Sequence, residues 1–230
     1  MLNEDYRGVS VGADAGIEFV LADRDPDGNP TSGLVRHRNS QWFKQSVHYV
    51  GSGGFWDAAW DPSRYLNIYL QKPQFDDPTK VLLGYAKYPW DASGTPTDGV
   101  VVLWNRWGDC EKYGDVGATA SHEVGHYLGL HHTFYPNEQK CPPRQSPLCH
   151  VTGDLICDTN SESEIHFGCG ETRSCGSVEP ISPGNGSRPS ALARTSGRRA
   201  GMTLLASATE LNKAKCRFAL CCGCVRLAWG

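Results

Sequence analysis

Residues 122 to 132 read HEVGHYLGLHH, four histidines and one glutamate within eleven positions. His122 and His126 stand four apart, one helical turn, so both imidazoles can grip a single cation from the same side. Neutral imidazole suits zinc, and a catalytic zinc takes three protein ligands and keeps one position for water. Glu123, beside the first ligand, is placed to accept a proton from that water rather than to bind the metal. Gly129 can take a backbone conformation that other residues resist, so the chain turns sharply and brings back His132 as third ligand. A bare H-E-x-x-H pattern arises by chance on surface helices, but five fixed positions spread over eleven residues are far more specific. His131, next to a ligand, is expected to point elsewhere, into the surroundings of the site or the surface. His37, His48, His150 and His166 have no partner spacing and read as satisfied or exposed histidines.

These groups need a helix and something to lay it on. In "GDVGATASHEVGHYLG", Asp115 can cap a helix start, and Val116, Ala120, Val124 and Leu128 recur every fourth residue as a buried stripe. At ~100° per residue His122 and His126 fall on the opposite face, and Gly129 is a natural stop. The first third of the chain reads as strands separated by turns. "GIEFVLADRD" alternates ahead of the turn-rich "DPDGNPTSG". "RYLNIYLQK" sets Tyr65, Asn67 and Tyr69 against Leu66, Ile68 and Leu70 with period two. "VLLGYAKYPW" and "GVVVLWNRW" are rich in β-branched and aromatic residues, with breakers between them.

The 230 residues suit one domain or one domain in two lobes. A net charge of −3 gives no argument for nucleic acid or an anionic membrane as partner, and no apolar run approaches the ~20 residues that cross a bilayer. The acidic start, Met1-Leu2-Asn3-Glu4-Asp5, is not a secretory signal. Yet there are ten cysteines, all but Cys110 from Cys141 onward, which points to an oxidising compartment. Either the chain begins inside a longer precursor or its thiols stay reduced; the first is the favoured expectation.

Residues 133 to 180 read as irregular and cysteine-rich. From about Ile181 the character changes: residues 181–230 carry eight Lys or Arg against the single acid Glu210, a net +7 that leaves −10 for the rest. "SPGNGSRPSALARTSGRRAG" reads as disordered linker. "TLLASATELNKAKCRFALCC" has the composition for a short helix, with nothing to say what it would pack on. Cys221, Cys222 and Cys224 lack a matched pair at zinc-ribbon spacing and are disfavoured as a second metal site.

The extended motif resembles the metzincin metallopeptidases, and "ATASHEVGHYLGLHHTF", with Thr133-Phe134 after the third histidine, resembles their pappalysin (ulilysin-like) branch. "LNEDYRG", "IEFVLADRDPDGNPTSGLVR", "RYLNIYL", "LLGYAKYP", "TDGVVVLWNRWG" and "GDLICDTNSE" are similar to family landmarks in family order, over roughly residues 1–180. The resemblance implies an α+β zincin fold, a twisted mixed sheet over an active-site helix with an irregular cysteine-rich lower lobe. Residues 1–180 would be the catalytic domain, with an upper lobe to about 130 and an incomplete lower lobe over 131–180; residues 181–230 would be a basic, divergent, partly disordered tail. It further implies a secreted zinc endopeptidase, with His122, His126 and His132 as ligands and Glu123 as general base. The strand "LLGYAKYP" would be the sheet edge that pairs with an extended peptide substrate. By the same resemblance Asp154 and Thr159 stand where calcium-binding oxygens are expected; a turn held by Asp154 and Asp158 side chains is the equal alternative. Cys141–Cys169 is the disulfide carried over, and Cys149–Cys157 is paired by proximity alone.

One family feature is missing. Metzincins place a methionine turn beneath the zinc ligands, and after Cys169 and Cys175 this chain reads "GSVEPISPGNGSRPS" instead. The only methionines are Met1 and Met202, and Met202 in "RRAGMTLLAS" lacks the aromatic and aspartate neighbours of that turn. The change of composition coincides with the loss, so the segment after about Glu179 or Pro180 reads as a frame-shifted, mis-spliced or recombined ending. Supporting groups under a metal commonly carry 10–100-fold in affinity or activity. An active endopeptidase is therefore the leading expectation. Its rival is a zinc-binding but catalytically impaired remnant, and the third option is a cysteine-rich binding module with a structural metal.

Overall fold

The computed structural model describes residues 1–7, 14–74, 77, 79–107, 118–132 and 155, and the backbone of 109–110, 115–116 and 222–228. The elements in chain order are α1 (Leu2–Tyr6), β1 (Leu34–His37), α2 (Ser40–Phe43), β2 (Tyr65–Gln71), β3 (Gly84–Ala86), α3 (Pro89–Ala92), β4 (Gly99–Leu103), β5 (Asp109–Cys110), β6 (Asp115–Val116), α4 (Ala118–Tyr127) and β7 (Cys222–Ala228). Single 3-10 turns cover Phe55–Ala58 and Trp104–Arg106. The fold is α+β, with a mixed five-stranded sheet in the order β1-β7-β2-β4-β3.

β2 and β4 run parallel, from Asn67 opposite Gly99 to Gln71 opposite Leu103. Every residue of both is buried. The period-two pattern of β2 therefore separates two interiors rather than an inside from an outside. Leu66, Ile68, Leu70, Val100 and Val102 meet Ala120, Val124, Tyr127 and Leu130 on one face. Tyr69 and Val101 meet Val47, Phe55 and Trp56 on the other. β3 pairs antiparallel with β4 and, among the described residues, forms one edge of the sheet, the place the family resemblance implies for "LLGYAKYP". β7 lies antiparallel between β1 and β2, so the end of the basic segment completes the ladder of two strands that do not pair with each other. Residues 181–221, like 133–154 and 156–180, fall outside the described residues.

Two sequence expectations change. Among the described residues "GIEFVLADRD" forms no strand, only isolated bridge positions at Leu21 and at Arg24, the latter paired with Pro30. The backbone of Phe19 is instead held by one side chain: its N–H donates to Asn3 Oδ1 at 2.6 Å and its carbonyl accepts from Asn3 Nδ2 at 3.1 Å. With those groups satisfied, Phe19 buries its ring edge-on to Tyr6, centroids 5.1 Å apart. The second change is at Asp115 and Val116, which pair in β6 with Cys110 and Asp109 rather than opening the helix. α4 begins at Ala118, and its apolar stripe starts at Ala120 and Val124, both fully buried.

Candidate metal centre and active site

α4 carries the site and ends on glycine. Gly129 has φ +101°, a conformation that costs any residue with a Cβ. Its N–H donates to the His126 carbonyl at 2.9 Å, and the Leu130 N–H donates to the Gly125 carbonyl, also at 2.9 Å. This is the two-bond Schellman closure, with Leu130 buried behind it. It satisfies the last carbonyls of the helix and reverses the chain within three residues. His132 returns to within 3.1 Å of His122 and 3.0 Å of His126, Nε2 to Nε2. His122 and His126 are themselves 2.9 Å apart, so the three ring nitrogens converge on one point.

The second nitrogen of His126 fixes its role. Nδ1–H donates to the Leu130 carbonyl at 2.7 Å, which leaves the Nε2 lone pair bare and aimed at the cluster. Burial lowers the pKa of all three rings. Desolvation comes first for His122, held down to about 3, and for His132, held to about 4, with neighbouring histidines adding to both. All three are therefore neutral imidazoles at pH 7, the ligating form. Three neutral imidazole nitrogens converging on one point are a donor set that a zinc-sized cation fits.

Glu123 turns to the neighbouring strand. A Cβ on Gly84 would stand 2.5 Å from Glu123 Cγ and 2.6 Å from Oε1, so only glycine there admits the carboxylate against β3. The side chain is buried, and desolvation raises its pKa to about 8. A divalent cation at the adjacent nitrogens acts in the opposite direction and favours the ionised carboxylate.

The helix is anchored from below by the first residues of the chain. Tyr6 donates its phenol hydrogen to the Ser121 carbonyl at 2.9 Å, and the Ser121 hydroxyl bonds Asp5. His131 points away from the cluster as expected, its ring tilted against Tyr88 at 4.6 Å and Trp90 at 5.2 Å. His37 packs on Trp42 and His48 on Tyr85, both outside the three-histidine cluster. Asp154, Thr159, Cys141, Cys149, Cys157, Cys169, His150, His166 and Met202 lie outside the described residues. Sequence reading missed Gly84, Asp5, Tyr6, Tyr88 and Trp90. Only the run "YAKYPW", two tyrosines and a tryptophan beside a proline at the end of a strand, carries a local signal for any of them.

The family model described as Pregnancy-associated plasma protein-A, a peptidase family, matches residues 53–181, more than half of the chain. The chain belongs to this pappalysin family. Among its relatives, an extracellular metalloprotease of Colletotrichum graminicola is 37% identical over 57% of this chain and 49% of its own length. Extracellular metalloprotease 1 of Coccidioides posadasii is 33% identical over 79% of this chain and 56% of its own. Human Pappalysin-1 is 35% identical over 48% of this chain and 7% of its own. The chain thus spans about half the length of the fungal relatives it matches. In structure it is similar to mature mirolysin of Tannerella forsythia, solved with a cleaved peptide, at TM-score 0.64 and 30% identity over 85% of this chain and 79% of that one. Among the described residues no helix is long and apolar enough to cross a membrane.

Proposed function

We propose that this pappalysin-family chain is a zinc-dependent endopeptidase that hydrolyses peptide bonds in extended protein substrates. The observation that carries the reading is the convergence of three neutral imidazole nitrogens beside a buried glutamate, near the strand that forms the sheet edge among the described residues. His122, His126 and His132 would hold the metal, and zinc bound there supplies Lewis acidity to a carbonyl and to a water. The free edge of β3 offers backbone N–H and C=O groups to an extended peptide and holds it along the cleft. Glu123, pressed against Gly84 of that strand, takes a proton from the attacking water and hands it to the leaving amine. The Leu130 carbonyl keeps the His126 ring oriented throughout.

The same reading includes an extracellular setting, in keeping with relatives named extracellular metalloproteases. It also includes structural calcium at Asp154 and Thr159, and the disulfides Cys141–Cys169 and Cys149–Cys157. The test is cleavage of a generic protein substrate by the purified chain with zinc and calcium, beside Glu123→Ala and a chelator control, with metal content measured in parallel. Cleavage lost in both controls supports the endopeptidase. One equivalent of zinc with no cleavage in the native chain refutes it and assigns the impaired remnant.

A further inference from the structure

The segment leaving the edge strand carries an aromatic surface that zinc ligation does not use. Trp90 is 60% exposed, an unusual state for the largest apolar side chain. It lies flat on Tyr88, ring centroids 4.8 Å apart and planes 13° from parallel. His131 closes on both rings, and the Tyr88 ring stands edge-on to the ligand His126 at 5.5 Å. The local fold keeps the stack in place. Pro89 opens α3, its ring and that of Trp90 bordering the open side of Gly129, where a Cβ would meet Trp90 at 3.5 Å and Pro89 at 3.8 Å. The shelf is thus built onto the turn that returns His132.

Its position relative to a substrate follows from the direction of β3. The strand starts at Gly84, against Glu123, and leads on to Tyr88, beside His126. A peptide laid antiparallel on its free edge runs the other way. The residues preceding the scissile bond therefore face Tyr88 and Trp90, and those following it face Leu83 and Val81. We infer that Trp90, stacked on Tyr88, is a specificity-determining residue that selects an aromatic side chain on the N-terminal side of the cleaved bond. This rests on the endopeptidase reading. An exposed indole face adjoining a second ring offers offset or edge-on packing to a third, and such pairs favour aromatic partners beyond the area they bury.

The experiment uses the purified full chain with zinc and quenched peptides in which Phe, Arg or Ala is placed, one position at a time, over four residues on either side of the cleaved bond. In the native chain Phe at one position on the N-terminal side is expected to raise kcat/KM roughly three- to tenfold over Ala, chiefly through KM. Trp90→Leu, which keeps apolar bulk, and Trp90→Ala should bring that ratio near one, while Trp90→Tyr retains most of it. An equal loss on the Phe and Ala peptides in Trp90→Leu, a stronger preference for Arg, or a preference confined to the C-terminal side would overturn the assignment. Anisotropy of the labelled Phe and Ala peptides on zinc-loaded Glu123→Ala separates this from the parent reading. A native chain that cleaves nothing sinks the peptidase, yet tighter binding of the Phe peptide that vanishes with Trp90→Leu still upholds the shelf. Equal binding sinks the shelf alone.

Discussion

The two faces of the central sheet share strands but carry different side-chain chemistry. On the face away from α4, Phe55, Trp56 and Tyr69 pack ring against ring at 4.4–5.1 Å over Val47 and Val101. Two polar side chains there close on nearby backbone. The Trp56 indole N–H donates to the Val47 carbonyl at 3.1 Å, and Asn67 bonds both the N–H and the carbonyl of Trp60 at 2.9 and 2.8 Å. On the α4 face an aliphatic layer borders Glu123 and His126, both buried, whose titrating atoms are shifted in opposite directions by the same desolvation. A buried carboxyl and a buried imidazole with shifted pKa values side by side are the kind of pair that functional sites hold. One face is closed by rings and local hydrogen bonds; the other carries the titratable groups of the proposed site.

The sharpest way to break that contrast is to remove the carboxylate. Glu123→Gln should lower kcat/KM by roughly 10²–10⁴-fold with zinc content unchanged; peptide kinetics within tenfold of native would end its assignment as base. Next come paired truncations, one on each face. Trp56→Ala should cost about 3–5 kcal/mol and Ile68→Ala about 2–5 kcal/mol in urea unfolding. Only Ile68→Ala, which undercuts α4, should also weaken zinc binding in a chelator competition, and equal weakening by both would erase the distinction between the faces. Gly84→Ala forces Glu123 from its place and is expected to cut kcat by on the order of tenfold or more, since an error near 1 Å in a reacting group can cost ~10². Zinc content should hold, so loss of metal in this variant would count against a purely positional effect.

The smallest effect, because proteins relax around a buried charge, is the pH dependence of the metal-free protein. The Glu123 pKa is raised from 4.5 to about 8, so its contribution is fully present below about pH 4.5 and is lost as pH rises through 8. The pKa values of His122 and His132 are lowered from 6.5 to about 3 and about 4, so theirs is present above pH 6.5 and lost as pH falls through those values. Glu123→Gln should then flatten the alkaline limb of urea midpoint against pH and leave the acid limb alone. A variant that follows the native curve from pH 5 to 9 would show that the carboxylate is not desolvated.

Much of the site was legible because its logic is local. Four-residue spacing puts His122 and His126 on one helical face whatever surrounds them, and a glycine three residues later permits the reversal that returns His132. The alternation of β2 was legible for the same reason, since it follows from residue types along one strand, whereas the edge role of β3 came from the family resemblance. The failures were non-local. "GIEFVLADRD" looks like a strand, but Asn3 takes the backbone bonds of Phe19. Asp115 looks like a cap, but a pairing with Cys110 claims it.

By itself, then, the sequence determined the three-histidine cluster, the glutamate beside it and the turn that closes it, because these depend on spacing within one helix and on the conformational freedom of Gly129. The tertiary structure decided what those groups experience. Gly84 admits the Glu123 carboxylate only where β3 passes α4, and Tyr6 and Asp5 hold Ser121 from 115 and 116 residues away. Tyr88 and Trp90 become a shelf only beside His126 and His131. Desolvation and close packing arise between segments distant in the chain, and no spacing rule within one segment encodes them.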